Sequence, residues 1–199
     1  KICGITTVED ALHAVRCGAD ALGFVFHEAS PRNIFPDQAA SIIKRLPPFV
    51  QAVGLFVNAD SEFVNATADL CCFDLVQLHG DEPPEYCDLI KRRVIKVFRV
   101  KEITSIEPIR NYQVAGILLD TFSPKAYGGT GLTFNWEIAL AAAVYGPVIL
   151  AGGLTPENVR QAVERVNPYG VDVSSGVETA PGRKDPEKVR EFIRQAKGW

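Results

Sequence analysis

Short runs of valine, isoleucine, leucine and phenylalanine recur along the whole chain. They stand at 21–26 (ALGFVF), 50–57, 74–79, 94–100, 114–120, 147–152 and 171–175, and a stub at 1–3 makes eight. Nearly continuous apolar runs of this length fit strands buried on both faces. Longer windows with helical periodicity alternate with them. In 7–18, Val8, Ala11, Leu12 and Val15 share one helical face; in 36–46, Ala39, Ala40, Ile43 and Leu46 do the same. Further helical windows are predicted at 62–70, 83–91, 103–112, 134–145, 156–166 and 186–197. Asp60-Ser61, Pro83-Pro84 and Thr155-Pro156 supply start signals.

Eight strand-then-helix units with no break in composition predict one α/β domain over 1–199, a (β/α)8 TIM barrel. A doubly wound open sheet is the rival arrangement. In a barrel the functional end is the one where the strands finish. That rule selects Cys3, Arg32, Asn58, His79, Asp120, Gly152-Gly153 and Ser174-Ser175-Gly176 from all the polar residues.

Composition narrows the field. The chain has 199 residues, 47% hydrophobic, with 21 Lys and Arg against 24 Asp and Glu, a formal charge of −3. No basic patch suits nucleic acid and no polybasic run suits an anionic membrane. No apolar stretch approaches the roughly 18 residues of a membrane span. No signal peptide is evident. The chain starts at Lys1 and has no methionine, so a few preceding residues are expected in its parent. The five cysteines (3, 17, 71, 72 and 87) form no CxxC and no metal spacing, which points to free thiols in a reducing cytoplasm and to no bound metal.

Two loops carry a phosphate signal. AGGLTPENV places paired glycines after the seventh strand and a helix start behind them; VDVSSGVETAPG places Ser-Ser-Gly after the eighth. Glycine lets backbone N–H groups approach an anion closely. The contacts are expected from Gly153, Ser175 and Gly176; the alternative, that Gly152 and Gly153 merely shape a turn, is disfavoured because both loops carry the signal.

Asp120 ends an apolar strand, where a carboxylate is costly unless paired, solvated or used. It is the candidate general acid. The segment Ser123 to Gly131, with three glycines, reads as a loop able to cover a ligand. Arg32 suits a substrate carboxylate, or a surface role. Gln77 and His79 lie on one side of their strand and would face ligand hydroxyls, unless a neighbouring strand satisfies the histidine. His13 lies in a helical window and reads as structural. Cys3 shares a face with Lys1, and a neighbouring cation favours the reactive thiolate. On position alone Cys3 is as well read as a buried filler.

In chain order, KICGIT (1–6), SPR (30–32), GLFVN (54–58), VQLHG (76–80), LLDT (118–121), GGTG (128–131), F-x-W (134–136), AGGL-x-P-x-N (151–158) and DVSSGVE-x-x-PG-x-KD (172–185) together resemble the phosphoribosylanthranilate isomerase family of tryptophan biosynthesis. One departure is Asn135, where the family commonly has aspartate; asparagine caps a helix nearly as well.

The resemblance implies an aldose–ketose isomerase. It would convert N-(5-phosphoribosyl)anthranilate to 1-(2-carboxyphenylamino)-1-deoxyribulose 5-phosphate by an Amadori rearrangement. Asp120 would be the general acid and Cys3 the general base. Arg32 would hold the anthranilate carboxylate, and Asp172 and His79 would contact the sugar. No cofactor is implied, and the chain would work as a monomer or homodimer. Two other enzymes compete: a histidine-pathway isomerase, which would carry aspartate at the end of strand one, and a Schiff-base aldolase using Lys96. A non-catalytic phosphosugar-binding domain would keep the phosphate loops without the Cys3/Asp120 pair.

Overall fold

A computed structural model describes residues 1–100, 102–120 and 136–198. The loop read at 123–131, the GGTG at 128–131, and Phe134 and Asn135 lie outside the described residues. Eight parallel strands form one sheet in sequence order: β1 (Ile2–Cys3), β2 (Ala21–Phe26), β3 (Gln51–Phe56), β4 (Leu75–Leu78), β5 (Arg93–Arg99), β6 (Gly116–Asp120), β7 (Val148–Ala151) and β8 (Gly170–Val171). The backbone beyond β8 closes the ring onto β1. Cys3 N donates to Val173 O at 2.8 Å and Val173 N donates to Lys1 O at 3.2 Å. The fold is the (β/α)8 barrel, and the rival open sheet is excluded by that closure.

The helices are α1 (Val8–Arg16), α2 (Pro36–Ile43), α3 (Ser61–Cys71), α4 (Pro84–Cys87), α5 (Trp136–Ala142), α6 (Val159–Val166) and α7 (Pro186–Lys197). Their starts follow capping chemistry. Thr7 accepts from Asp10 N, Asp60 from Glu62 N and Phe63 N, and Asp185 from Glu187 N and Lys188 N.

Three windows depart from expectation. Residues Ile103–Asn111 form a 3-10 helix with Pro108 inside it, where an α-helix is disfavoured by the ring's clash with the preceding turn as well as by the missing N–H. The window at 83–91 yields only α4. Leu89 N and Ile90 N then bond three residues back, to Tyr86 O and Cys87 O, which tightens the chain out of the α-helix. At 156–166 the helix begins only at Val159, because Asn158 Oδ1 takes Thr155 N and holds a turn first.

Strand side chains alternate between two apolar layers. Ile2, Leu22, Phe24, Phe26 and Phe56 pack outward against the helices. Ile95, Val97, Leu118, Ile149 and Ala151 fill the barrel, and Cys3 packs with Val25 and Leu55. The interior is therefore a packed core, and its polar exceptions gather towards the strand ends. Among the described residues no helix is long and apolar enough to cross a membrane.

Candidate active site

Cys3 ends β1 opposite Gly23. The chain turns sharply there, with Gly4 at φ +78° and both Gly4 N and Ile5 N donating to Gly23 O. A Cβ on Gly23 would fall 2.7 Å from Cys3 Sγ and 3.1 Å from Lys1 Nζ, so glycine opens the space that the thiol and ammonium occupy. Lys1 faces inward as the period-two pattern requires. Its ammonium is paired with Asp172 Oδ2 at 2.8 Å. Both groups are nearly buried, and Asp172 Oδ1 has no hydrogen-bond partner among the described residues.

That pairing corrects the simplest view of Cys3. Burial pushes the thiol above its ordinary value of 9.0; Lys1 and, more weakly, Lys184 oppose the rise, and Asp172 adds to it. Burial wins because Lys1's charge is largely answered by Asp172. Lys1 is beside the thiol, as expected, but does not make it acidic. Peptide-resolved alkylation by iodoacetamide should therefore give Cys3 a titration midpoint above 9.0. Lys1→Met, which removes the opposing cation, should move that midpoint higher still. A midpoint below 9.0, or a downward move in the variant, would contradict this account of the field.

Arg32 is placed by the loop after β2. His27 N donates to Asn33 Oδ1, Arg32 N to Ser30 Oγ and Ile34 N to Val25 O. The arginine stem then crosses Gly4, where a Cβ would stand 2.6 Å from Arg32 Cδ. The guanidinium is already gripped from one side. Nε donates to Glu178 Oε1 at 2.9 Å and Nη2 to Glu178 Oε2 at 2.6 Å. Lys184 Nζ donates to the same Oε1 at 2.8 Å. Burial works against the Glu178 charge, but the two cations outweigh it and hold the carboxyl below its ordinary range. The sequence reading missed Glu178 and Lys184 as site residues. Their partner Arg32 lies 146 positions from Glu178, so no local spacing signals the pair.

Gln77 and His79 do share the inner face, but they face each other's chemistry. Gln77 is 1% exposed, and its Nε2 lies 3.4 Å from His79 Nδ1. His79 Nε2 lies 3.2 Å from Asp120 Oδ2. The expectation that Gln77 contacts a ligand hydroxyl is corrected: burial under His79 removes it from the mouth. Arg99, also missed, ends β5 in register with Asp120 and donates from Nη2 to His79 O at 3.4 Å. An arginine closing an apolar strand was a readable signal.

Lys96 lies on the outward side of β5. Its ammonium bonds Gly80 O at 2.7 Å and Glu82 Oε2 at 2.8 Å, and both side chains of that pair are buried. A Schiff-base lysine must face the substrate, so the aldolase reading fails on strand parity.

The loops after β7 and β8 meet. Gly152 and Gly153 have φ of +78° and +70°, and Asn158 Nδ2 braces Gly153 O at 2.9 Å. At Gly176 a Cβ would fall 2.0 Å from Leu154 O, so the approach of the two loops requires glycine. Gly153 and Ser175 are exposed, and Gly176 half-buried. Ser174 Oγ is buried with no partner among the described residues.

Comparison with known proteins bears on the whole of this arrangement. The family model for N-(5'-phosphoribosyl)anthranilate (PRA) isomerase matches residues 1–195. The chain is 71% identical over 199 residues to the N-(5'-phosphoribosyl)anthranilate isomerase of Geobacter sulfurreducens, covering 100% of this chain and 98% of that one. The crystal structure of the Thermotoga maritima phosphoribosyl anthranilate isomerase superposes with a TM-score of 0.93 at 48% identity, covering 100% and 98% of the two chains. A second crystal structure of such an isomerase, in complex with reduced 1-(o-carboxyphenylamino)-1-deoxyribulose 5-phosphate, gives 0.91 at 45% identity, covering 100% and 97%.

Proposed function

The chain belongs to the N-(5'-phosphoribosyl)anthranilate isomerase family, and from that premise we propose that it performs the Amadori rearrangement of N-(5-phosphoribosyl)anthranilate with Asp120 as general acid and Cys3 as general base. It is an isomerase of tryptophan biosynthesis. The observation that carries the residue assignment is that Cys3 and Asp120 end β1 and β6 on the inner face, at one end of one barrel.

The chemistry needs two proton transfers. Asp120 gives a proton to the furanose ring oxygen; the C1–O bond breaks as the anthranilate nitrogen forms a Schiff base with C1. Cys3, as thiolate, then takes the proton from sugar C2, leaving an enolamine. A proton added at C1, with loss of the C2 hydroxyl proton, completes the ketone. Burial holds the thiol neutral in the unliganded protein, and Lys1 and Lys184 are the cations that favour its ionised form. The anthranilate carboxylate would meet the edge of Arg32 that Glu178 leaves open. Asp172 Oδ1, buried without a partner, suits a sugar hydroxyl. The phosphate would sit at Gly153, Ser175 and Gly176.

The protein would act as one barrel domain in a reducing cytoplasm, in keeping with five free cysteines. A relative from Thermotoga maritima is described as dimeric, so a homodimer is the assembly to test first.

Mixing the protein with freshly made phosphoribosylanthranilate and following loss of its fluorescence tests the activity. Rapid, enzyme-dependent loss is expected; none at high enzyme concentration would contradict it. Gly176→Ala tests the phosphate loops. Its new Cβ meets a backbone oxygen that cannot swing aside, so KM should rise by about 10-fold or more with a smaller change in kcat. An unchanged KM would remove Gly176 from the site.

A further inference from the structure

His79 has partners on both ring nitrogens, and they are chemically unequal. Nε2 faces a carboxylate oxygen, Asp120 Oδ2, at 3.2 Å. Nδ1 faces an amide nitrogen, Gln77 Nε2, at 3.4 Å. An ionised carboxylate accepts only, and an amide NH2 donates only. One neutral tautomer satisfies both: hydrogen on Nε2, lone pair on Nδ1. The opposite tautomer sets N–H against NH2 and lone pair against oxygen.

Turning the Gln77 amide over would suit that opposite tautomer, but the burial of Gln77 resists it. Its side chain is held between Leu55 and Ile95 in the register of β3, β4 and β5. Oε1 already lacks a partner there. The turned amide would place two donors where one acceptor now stands unpaired, which costs more. The backbone that carries the ring is fixed from behind. His79 N donates to Phe56 O at 2.8 Å, and Arg99 reaches His79 O.

We infer that His79 is a positioning residue for Asp120: Gln77 holds it in the Nε2–H form, it holds Asp120 through Oδ2, and Oδ1 is thereby the oxygen that carries the proton given to the ring oxygen. The inference rests on the acid role proposed for Asp120. It replaces a sugar contact for His79, since neither ring nitrogen is left for a hydroxyl. It also makes Gln77, buried beside His79, a determinant of where the acid's proton sits.

The test has two independent parts. In [15N]histidine-labelled wild-type protein, with the His79 signals assigned by their loss in His79→Gln, Nδ1 should report an unprotonated acceptor and Nε2 a protonated donor. Gln77→Met should weaken that preference. A protonated Nδ1 at neutral pH would overturn the inference whether or not the protein is an isomerase. In kinetics, His79→Ala should lower kcat by about 10-fold or more, with KM changed by less than about 3-fold. Coupling is the sharper arm: His79→Ala added to Asp120→Asn should cost less than about 2-fold further, because the acid it serves is gone. A KM rise at unchanged kcat, or independent losses in the double variant, would return His79 to a substrate-contact role. Absence of wild-type turnover would instead sink the isomerase reading and leave the nitrogen signals to decide the tautomer.

Discussion

Asp120→Asn is expected to lower kcat by about 10²- to 10⁴-fold, the range that one positioned proton donor contributes. The substitution is almost isosteric. Its amide oxygen can still accept from His79 Nε2, so the β6 terminus and the His79 ring should hold their places. What is lost is the acidic proton for the ring oxygen. KM should therefore move little, and the circular dichroism and melting temperature should match the wild type. A variant within about 3-fold of wild-type kcat would show that another group opens the furanose ring. Asp120 can be tested this cleanly because, among the described residues, its carboxylate is bonded through one oxygen only.

The second large effect is on stability. Lys96→Met should destabilise the fold by about 3–5 kcal/mol, because it strands the Glu82 carboxylate in the interior. Glu82 is 3% exposed and gathers the loop after β4: it accepts from Asn58 N at 2.8 Å and from Gly80 N at 3.0 Å as well as from Lys96. For a chain of this length the melting temperature should drop on the order of 10 °C. Adding Glu82→Gln removes the bare charge while keeping an acceptor for both backbone donors, and should recover part of the loss. Equilibrium urea unfolding of the wild type and these two variants decides it. A loss below about 1 kcal/mol for Lys96→Met would mean that water reaches the pair and answers the charge.

These two sites show what could and could not be read from residue order. The strands were legible because burial on both faces leaves long apolar runs, and the predicted ranges of β2 to β7 lie within two or three residues of the observed ones. The strand-end placement of Cys3, Asp120 and the glycine loops was legible because a barrel gathers strand ends at one mouth. Pairings were not. Lys1 with Asp172, and Arg32 with Glu178, join positions 171 and 146 residues apart, and a period-two pattern gives only the face on which each stands. The direction of the Cys3 shift needed that missing information: a lysine beside a thiol promises an acidic thiol, but burial and Asp172 reverse the sign. Gln77 failed differently. Its face was right and its depth wrong, and depth along a strand is set by the barrel's stagger. Lys96 was a plausible nucleophile only until its face was known.

In the proposed mechanism a neutral, buried thiol at the end of β1 becomes the base that takes a carbon-bound proton. The most direct measurement is the rate at which Cys3→Ala consumes phosphoribosylanthranilate at saturating concentration, against the wild type under the same conditions. Alanine leaves the Cys3–Val173 backbone bond that closes the barrel untouched. A kcat lower by about 10²-fold or more in a folded variant is the expected result. Near-full activity would make Cys3 a packing residue and place the base elsewhere.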